Sequence, residues 1–235
     1  MQAKSFSIQL RTLSILFVIF LSLTCGWAAD SETVLFNFVT YDTGIHPIAG
    51  LIMDGAGNLY GTTGEGGAYG GGVVFAIDPT TGNETVIHSF GNGLDGSQPK
   101  AGLIDVRGTL YGTTVGGGSA NQGTVFSVKL STGHERIVYS FRGGATDAAG
   151  PQCQLLHRKG MLYGTTSSGG KYSDGAAFAV NRANGTETIL HSFIGPPNDG
   201  DYPVAGLIEV GGALYGTTLD GGTNNDDGTI YLVAQ

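Results

Sequence analysis

Short apolar runs alternate with glycine-rich polar stretches along most of the chain, and residues 101–141 show the pattern most clearly. The runs in this segment are rich in β-branched, aromatic and aliphatic residues, which favour strands. They are Ala101–Asp105, Thr109–Thr114, Thr124–Val128 and Glu135–Phe141. Turn residues at 106–108 and 131–133 predict two hairpin connections. The weak alternation within each run is typical of strands that are covered on both faces.

The phrase Leu-Tyr-Gly-Thr-Thr occurs four times, and its tyrosines are 51, 52 and 52 residues apart. The copies lie at 59–63, 110–114, 162–166 and 214–218. Four short strands in each unit of about 50 residues predict an all-β fold, a β-propeller of four blades with four antiparallel strands each. One such sheet cannot bury both of its faces alone, which argues against separate small domains. We expect the glycine of each phrase (Gly61, Gly112, Gly164 and Gly216) to let adjacent sheets approach closely.

The two ends of the repeat array each hold part of a unit. Residues 32–38 match the fourth strand of the later units, whereas residues 229–233 match a third strand with no fourth strand after it. This arrangement predicts that the N-terminal strand completes the C-terminal blade and closes the ring, which removes the open strand edges. A monomer is then expected. The alternative is a dimer in which two chains share an eight-bladed ring.

The first 28 residues have the features of a secretory signal peptide. Lys4 and Arg11 precede the apolar run 13–23, and the small residues Gly26 and Ala28 follow at the two positions that a signal peptidase reads. The rest of the chain, residues 30–235, is then one β-propeller domain in a secreted, extracytoplasmic protein. A lipoprotein anchored through Cys25 is disfavoured, because Ser22-Leu23-Thr24 is a poor leader for that modification. No later apolar run is long enough to predict a membrane span.

Charge and cysteine content limit the partners that can be expected and indicate that stability comes from packing rather than from disulfides. Without residues 1–28 the chain has 9 basic and 19 acidic residues, a net charge of −10. Such a surface repels phosphate backbones, so nucleic acid is not expected as a partner. Cys153 is then the one remaining cysteine, which excludes a disulfide framework. It occupies the place of Ala49, Ala101 and Ala205, which predicts a small core residue.

Two sets of loops are expected to share one face around the propeller channel, and they contain the candidate ligand-binding residues. An aspartate and a proline recur in the loop that leads into each new unit, and the aspartates are Asp42, Asp95, Asp147 and Asp199. The other candidates are Tyr69, Tyr172, Asp201 and Asp226. Acids and amides with a few tyrosines suit an extracellular glycan or protein ligand, or a hard cation such as Ca²⁺. The structural interpretation is that the aspartates accept hydrogen bonds from turn amides.

The sequence shows no catalytic signature and calls for no cofactor. It lacks a nucleophile elbow, a His-Glu-x-x-His helix and a phosphate-binding loop. His88 and His191 align with Tyr139 and Phe36, so the shared requirement is a flat ring and packing is the expected role. His46, His134 and His157 do not coincide in the repeat and predict no metal-ligand pair.

The repeated unit resembles the tandem repeat of the GloVer-type family of exported bacterial proteins. The shared phrases are Ala-Gly-Leu-Ile, Leu-Tyr-Gly-Thr-Thr, Gly-Thr-Val-Phe and His-Ser-Phe, and the resemblance covers residues 33–235. It implies an exported repeat protein and brings no established activity. The expected function is a non-catalytic binding or scaffold propeller that uses its acidic loop face. The alternatives are a metal-dependent hydrolase or lyase with its metal held by Asp95, Asp147 or Asp199, and a structural cell-surface or matrix component.

Overall fold

The computed structural model describes residues 32–223 and 227–233. The described chain is all-β, and its strands pair antiparallel. Tyr41–Thr43 forms a single turn of 3-10 helix before the first strand. Each repeat builds one sheet, and we number the sheets 1 to 4 in chain order.

Sheets 1 and 2 each have four strands in the order of the chain. Sheet 1 comprises β1 (Ile52–Met53), β2 (Leu59–Thr63), β3 (Val73–Ile77) and β4 (Glu84–Ser89). The next stretch contains β5 (Gly96–Ser97), β6 (Ile104–Asp105), β7 (Thr109–Thr114), β8 (Gly116–Gly117), β9 (Thr124–Lys129) and β10 (His134–Ser140). Of these, β6, β7, β9 and β10 form sheet 2, and β5 pairs with β8 as a short ribbon.

Sheets 3 and 4 repeat this plan with two differences. The third stretch contains β11 (Ala148–Pro151), β12 (Leu156–Arg158), β13 (Met161–Gly169), β14 (Ala176–Asn181) and β15 (Glu187–Ser192), which all belong to sheet 3. The fourth contains β16 (Gly200–Asp201), β17 (Ile208–Val210), β18 (Ala213–Thr218), β19 (Asp220–Gly221) and β20 (Thr229–Val233). Sheet 4 has only β17, β18 and β20, while β16 pairs with β19.

The strands predicted from residues 101–141 are confirmed, with bounds that agree to within a few residues. The expected role of the repeated glycine needs a correction. A Cβ on Gly112 would lie 2.6 Å from the ring of Phe126 and 3.0 Å from Leu103. Phe126 is the cross-strand partner of Gly112 on β9. The glycine therefore makes room for an aromatic ring of its own sheet rather than for the neighbouring sheet.

The hydrophobic core lies between consecutive sheets. Between sheets 1 and 2, Phe90 and Val74 pack against Leu103, Leu110 and Phe126. Similar clusters join sheet 2 to sheet 3 and sheet 3 to sheet 4. At each interface the phenylalanine directly after a fourth strand meets an aromatic ring of the next sheet edge-to-face, with 4.8–5.1 Å between ring centroids. Cys153 is buried, as predicted.

The ring closure predicted from the sequence is not formed within the described residues. Residues 32–39 contain no strand, and β20 pairs with β18 alone. Ile230 on β20 is 82% exposed, so the outward face of sheet 4 has no neighbour among the described residues. Phe38 instead packs on Phe75 of sheet 1, 5.1 Å between ring centroids.

Two further predictions concern export and the membrane. The signal peptide, residues 1–28, and the lipoprotein position Cys25 lie outside the described residues. Across residues 32–223 and 227–233, no helix has the length and apolar character needed to cross a membrane.

Candidate functional site

A histidine and two acids from three separate segments meet in the cleft between sheets 1 and 2. His88 is on β4, Asp95 is in the loop that follows, and Glu135 is on β10. His88 Nε2 donates to Asp95 Oδ2 over 2.9 Å. One ligand atom from each of the three residues lies within 4.8 Å of the other two. We call this group the cleft triad.

The local structure fixes the orientation of the first two side chains. The His88 ring packs edge-to-face on Phe90, with 4.7 Å between centroids, which confirms the expected ring packing at this position. The other carboxylate oxygen of Asp95, Oδ1, accepts the Gly96 amide over 2.7 Å. A turn amide thus holds Asp95, as the structural interpretation of this residue requires, and its second oxygen is still turned to His88.

The cleft triad borders a cavity of about 530 Å³. Tyr69 lies at its rim and is 57% exposed, and Asn92 adds an amide. The His88 side chain is 19% exposed and that of Asp95 is 10% exposed. The imidazole and the Asp95 carboxylate are therefore largely shielded from bulk water, yet a small ligand can reach them from the cavity.

Glu135 has an unusual electrostatic environment. Burial, together with the neighbouring Asp95 carboxylate, raises the pKa of its carboxyl to about 7. His88 and Arg136 act in the opposite direction. Its Oε1 is buried and has no hydrogen-bond partner among the described residues. A positive charge placed beside this carboxyl would relieve both the desolvation and the repulsion.

The same place between sheets 2 and 3 holds a different set of side chains. Tyr139 replaces the histidine, and its hydroxyl donates to Asp147 Oδ2 over 3.0 Å. The Arg142 guanidinium donates to the same oxygen over 3.3 Å. Burial and Asp147 raise the pKa of Glu187 to about 7, as for Glu135. Because an arginine already neutralises Asp147 and no imidazole is present, this second cluster is a poor place for a cation.

Between sheets 3 and 4 the cluster is incomplete. His191 Nε2 donates to Asp199 Oδ2 over 2.9 Å, which repeats the His88–Asp95 contact. Amides of Ile194 and Gly200 also donate to Asp199. The glutamate that would complete the set belongs to a fourth strand, and sheet 4 has none in the part of the chain that the structure describes.

The remaining candidates from the sequence are scattered over the loops. Asp42 is exposed in the 3-10 turn, and Asp201 lies on β16 opposite Asp220 of β19. Tyr172 is 43% exposed, with Lys171 Nζ 5.1 Å from its ring centroid. Asp226 lies outside the described residues. Of the eight predicted ligand-binding residues, the cleft brings together Tyr69 and Asp95.

Sequence reasoning assigned only packing to His88 and overlooked Glu135. The sequence nevertheless contains a repeated pattern that includes both residues. Glutamate stands at the start of every fourth strand, at 84, 135 and 187, and also at 32. A histidine stands four positions later at 88 and 191, and an aspartate follows it at 95 and 199. What the sequence did not reveal is that the glutamate of one repeat faces the histidine of the preceding repeat.

Comparisons with known proteins give two distant structural matches and one family match. A chain in the crystal structure of a nidogen/laminin complex is 17% identical, with a TM-score of 0.44 over 68% of this chain and 51% of that one. The computationally designed protein Ika8 is 14% identical, with a TM-score of 0.47 over 79% of this chain and 45% of the designed one. The present chain spans about half the length of these two solved chains. No curated protein matches its sequence. The model of the Gloeobacter/Verrucomicrobia repeat matches residues 22–231, which confirms the resemblance seen in the repeated phrases. The chain therefore belongs to the Gloeobacter/Verrucomicrobia repeat family.

Proposed function

We propose that this protein is an exported, non-catalytic binding module and that the cleft between sheets 1 and 2 is its binding site, built around a divalent transition-metal ion. The observation that carries the proposal is the cleft triad, in which an imidazole nitrogen and two carboxylates converge within 4.8 Å beside an accessible cavity. The sheets then act as propeller blades, and function lies in the loops and clefts between them.

The donor set selects the class of metal. Zn²⁺ is bound by histidine nitrogen and carboxylate oxygen at roughly 2.0–2.2 Å, commonly with three protein ligands and an open position. Ca²⁺ prefers six to eight oxygen ligands, so the His88 imidazole favours zinc or a similar ion over calcium. Calcium on the aspartate loops, as the sequence suggested, stays a separate prediction.

The cavity provides space for a ligand beside the metal. A metal on three protein ligands keeps a coordination position that faces the space lined by Tyr69 and Asn92. Hydroxyl or carboxylate oxygens of an extracellular glycan or protein could occupy that position, with the Tyr69 ring as an apolar platform. The metal would thus join the protein to its ligand rather than activate water for hydrolysis.

Zinc binding by the chain from Ala29 to Gln235 tests this proposal. Calorimetric titration with ZnCl₂ is done in a His191→Phe background, which removes the incomplete cluster at Asp199. We expect one zinc ion per chain, and His88→Phe should abolish it while the ring packing on Phe90 is kept, since Phe36 occupies the equivalent place. His134→Gln, on the exposed start of β10, is the matched control and should bind as the background does.

Equal zinc binding by the His88→Phe and His134→Gln variants would contradict the proposed site. Absence of zinc binding by the background protein would contradict it as well. Zinc-dependent cleavage of ester or glycoside substrates that is lost with His88→Phe would shift the assignment to the hydrolase alternative.

A further inference from the structure

Within residues 32–223 and 227–233, sheet 4 ends the array with an uncovered apolar face and an unpaired strand edge. Ile208, Val210, Ile230 and Leu232 are 61%, 58%, 82% and 52% exposed. A pocket of about 190 Å³ lies among Ile208, Tyr215 and Ile230. An open, apolar edge strand of this kind readily pairs with another strand.

The inner interfaces show what such a face normally receives. The first threonine after the Tyr-Gly pair donates its hydroxyl to a carbonyl of the next sheet, from Thr62 to Ala101, from Thr113 to Cys153 and from Thr165 to Ala205, over 2.9–3.2 Å. The corresponding residue of sheet 4 is Thr217, which is exposed. By the same repeat register its acceptor would be the carbonyl of Ala49, at the start of a first sheet.

A second backbone hydrogen bond recurs at the three inner interfaces, and its donor and acceptor positions occur again at the two ends of the array. The amide before each interface proline donates to the preceding sheet, from Gln98 to Gly71, from Gly150 to Gln122 and from Tyr202 to Asp174, over 2.8–3.2 Å. The repeat register assigns the next such contact to the amide of His46 and the carbonyl of Asp227. His46 has the same left-handed backbone as Gln98 and Tyr202, with φ of 61° against 57° and 54°. The donor side of a fourth interface is therefore already in the required conformation.

The N-terminal segment is already held like a fourth strand against the sheet that follows it. Phe38 meets Phe75 edge-to-face, as Phe90 meets Phe126. The carbonyl of Leu35 lies 2.8 Å from a Cβ built on Gly82, and the carbonyl of Ile87 lies 3.1 Å from one built on Gly133. The segment thus lacks only the hydrogen-bonded neighbour that a fourth strand has on its other side.

We infer that residues 32–38 of a second copy of this chain pair with β20 and that sheet 1 of that copy covers the exposed face of sheet 4. The occupant is a second copy because the two ends of the described chain do not meet. Pairing in the register of β3 with β4 would align Thr229 with Asn37, Ile230 with Phe36 and Tyr231 with Val34. Two copies joined head to tail at both ends contain eight sheets, the upper size of an ordinary propeller, so we expect the assembly to close as a dimer.

This assembly also completes the cluster at His191 and Asp199, and that part rests on the proposed metal site. Glu32 has the repeat position of Glu84, Glu135 and Glu187. Paired with β20, it would face His191 and Asp199 of the first copy as Glu135 faces His88 and Asp95. The dimer would then bind two zinc ions per chain, and Glu32→Gln would remove one of them.

Cross-linking between engineered cysteines tests the pairing independently of any metal. The chain from Ala29 is prepared as Asn37→Cys with Thr229→Cys in a Cys153→Ala background, since alanine fills that slot in the other repeats. After mild oxidation, denaturing gels without reductant should show a covalent dimer at the mass of two chains. Asn37→Cys with Val233→Cys, which the register holds apart, is the matched control.

Three outcomes are distinguishable. A covalent dimer for the in-register pair alone, with a dimer mass by light scattering before oxidation, supports the inference. An intramolecular disulfide in a monomer overturns it in favour of the closed four-bladed ring. Free thiols and a monomer mass overturn it as well, whereas the zinc stoichiometry in the His191→Phe background is unaffected by either result.

Discussion

The most informative perturbation of the proposed site is the loss of a single ring nitrogen by His88→Phe. His88 is the only nitrogen ligand of the cleft triad, and its ring also packs 4.7 Å from Phe90. Phenylalanine keeps the aromatic contact and removes the ligand, so stability without metal should change little. A difference in stability between the parent protein and His88→Phe in the presence of zinc then reports metal binding rather than packing.

The expected magnitude follows from ligand linkage. An ion at about one hundred times its dissociation constant, bound only to the folded state, adds about 2.7 kcal/mol to the free energy of unfolding. For a domain of this size, 1 kcal/mol corresponds to roughly 2–4 °C in Tm, so zinc should raise the Tm by about 5–11 °C. In His88→Phe the two carboxylates are left without the imidazole, and the rise should fall to about 1 °C or less.

Differential scanning calorimetry in ZnCl₂ and then in excess chelator measures this difference. The assay is run in the His191→Phe background, with His134→Gln as the control that keeps the full shift. Reversal by chelator shows that the rise in Tm is caused by a bound metal ion. A rise of the same size in His88→Phe would refute the reasoning, because the ion would then be held elsewhere.

Three further predictions concern parts of the fold away from the proposed zinc site. The folded state holds Glu187 at a pKa of about 7, above the value of roughly 4.3 in an unfolded chain, so its contribution to stability is present at low pH and is lost as the pH rises from about 4 to 7. Urea unfolding midpoints at pH 5 and pH 8 should therefore differ less in Glu187→Gln than in the parent, and an equal or larger difference would contradict this assignment. Cys153 is buried and burial raises the pKa of its thiol, so it should react with a thiol reagent only as fast as the protein unfolds; fast labelling in native buffer would contradict its placement. Gly112→Ala should lower the free energy of unfolding by about 1–3 kcal/mol, because its methyl group would meet the Phe126 ring at 2.6 Å. Gly55→Ala, where a methyl group meets nothing within 4 Å, is the control and should stay within about 0.5 kcal/mol of the parent.

Much of the architecture was predictable because the repeat gives four independent examples of each strand. The phrase Leu-Tyr-Gly-Thr-Thr marks β2, β7, β18 and part of β13. The turn role of the aspartates was also predictable, since Asp95, Asp147 and Asp199 each accept the amide of the next residue. Local chemistry alone determines these features.

The closure of the ring and the cleft triad depend on contacts that no local pattern encodes. Closure requires residues 32–38 to reach β20, and this depends on the sum of the angles between consecutive sheets. The triad requires a glutamate on β10 to face a histidine on β4 across an interface, about 47 residues away in the sequence. Alignment of His88 with Tyr139 and Phe36 suggested simple packing, because the ring does pack on Phe90 while its Nε2 points to Asp95.

The central claim is that the cleft between sheets 1 and 2 holds a transition-metal ion, and a crystal grown with zinc tests it most directly. Diffraction data collected above and below the zinc absorption edge locate the ion without assumptions about the fold. The account predicts an anomalous peak within about 2.0–2.2 Å of ligand atoms of His88, Asp95 and Glu135. A map with no peak in this cleft, or with zinc bound only at other histidines such as His46 or His134, would contradict it.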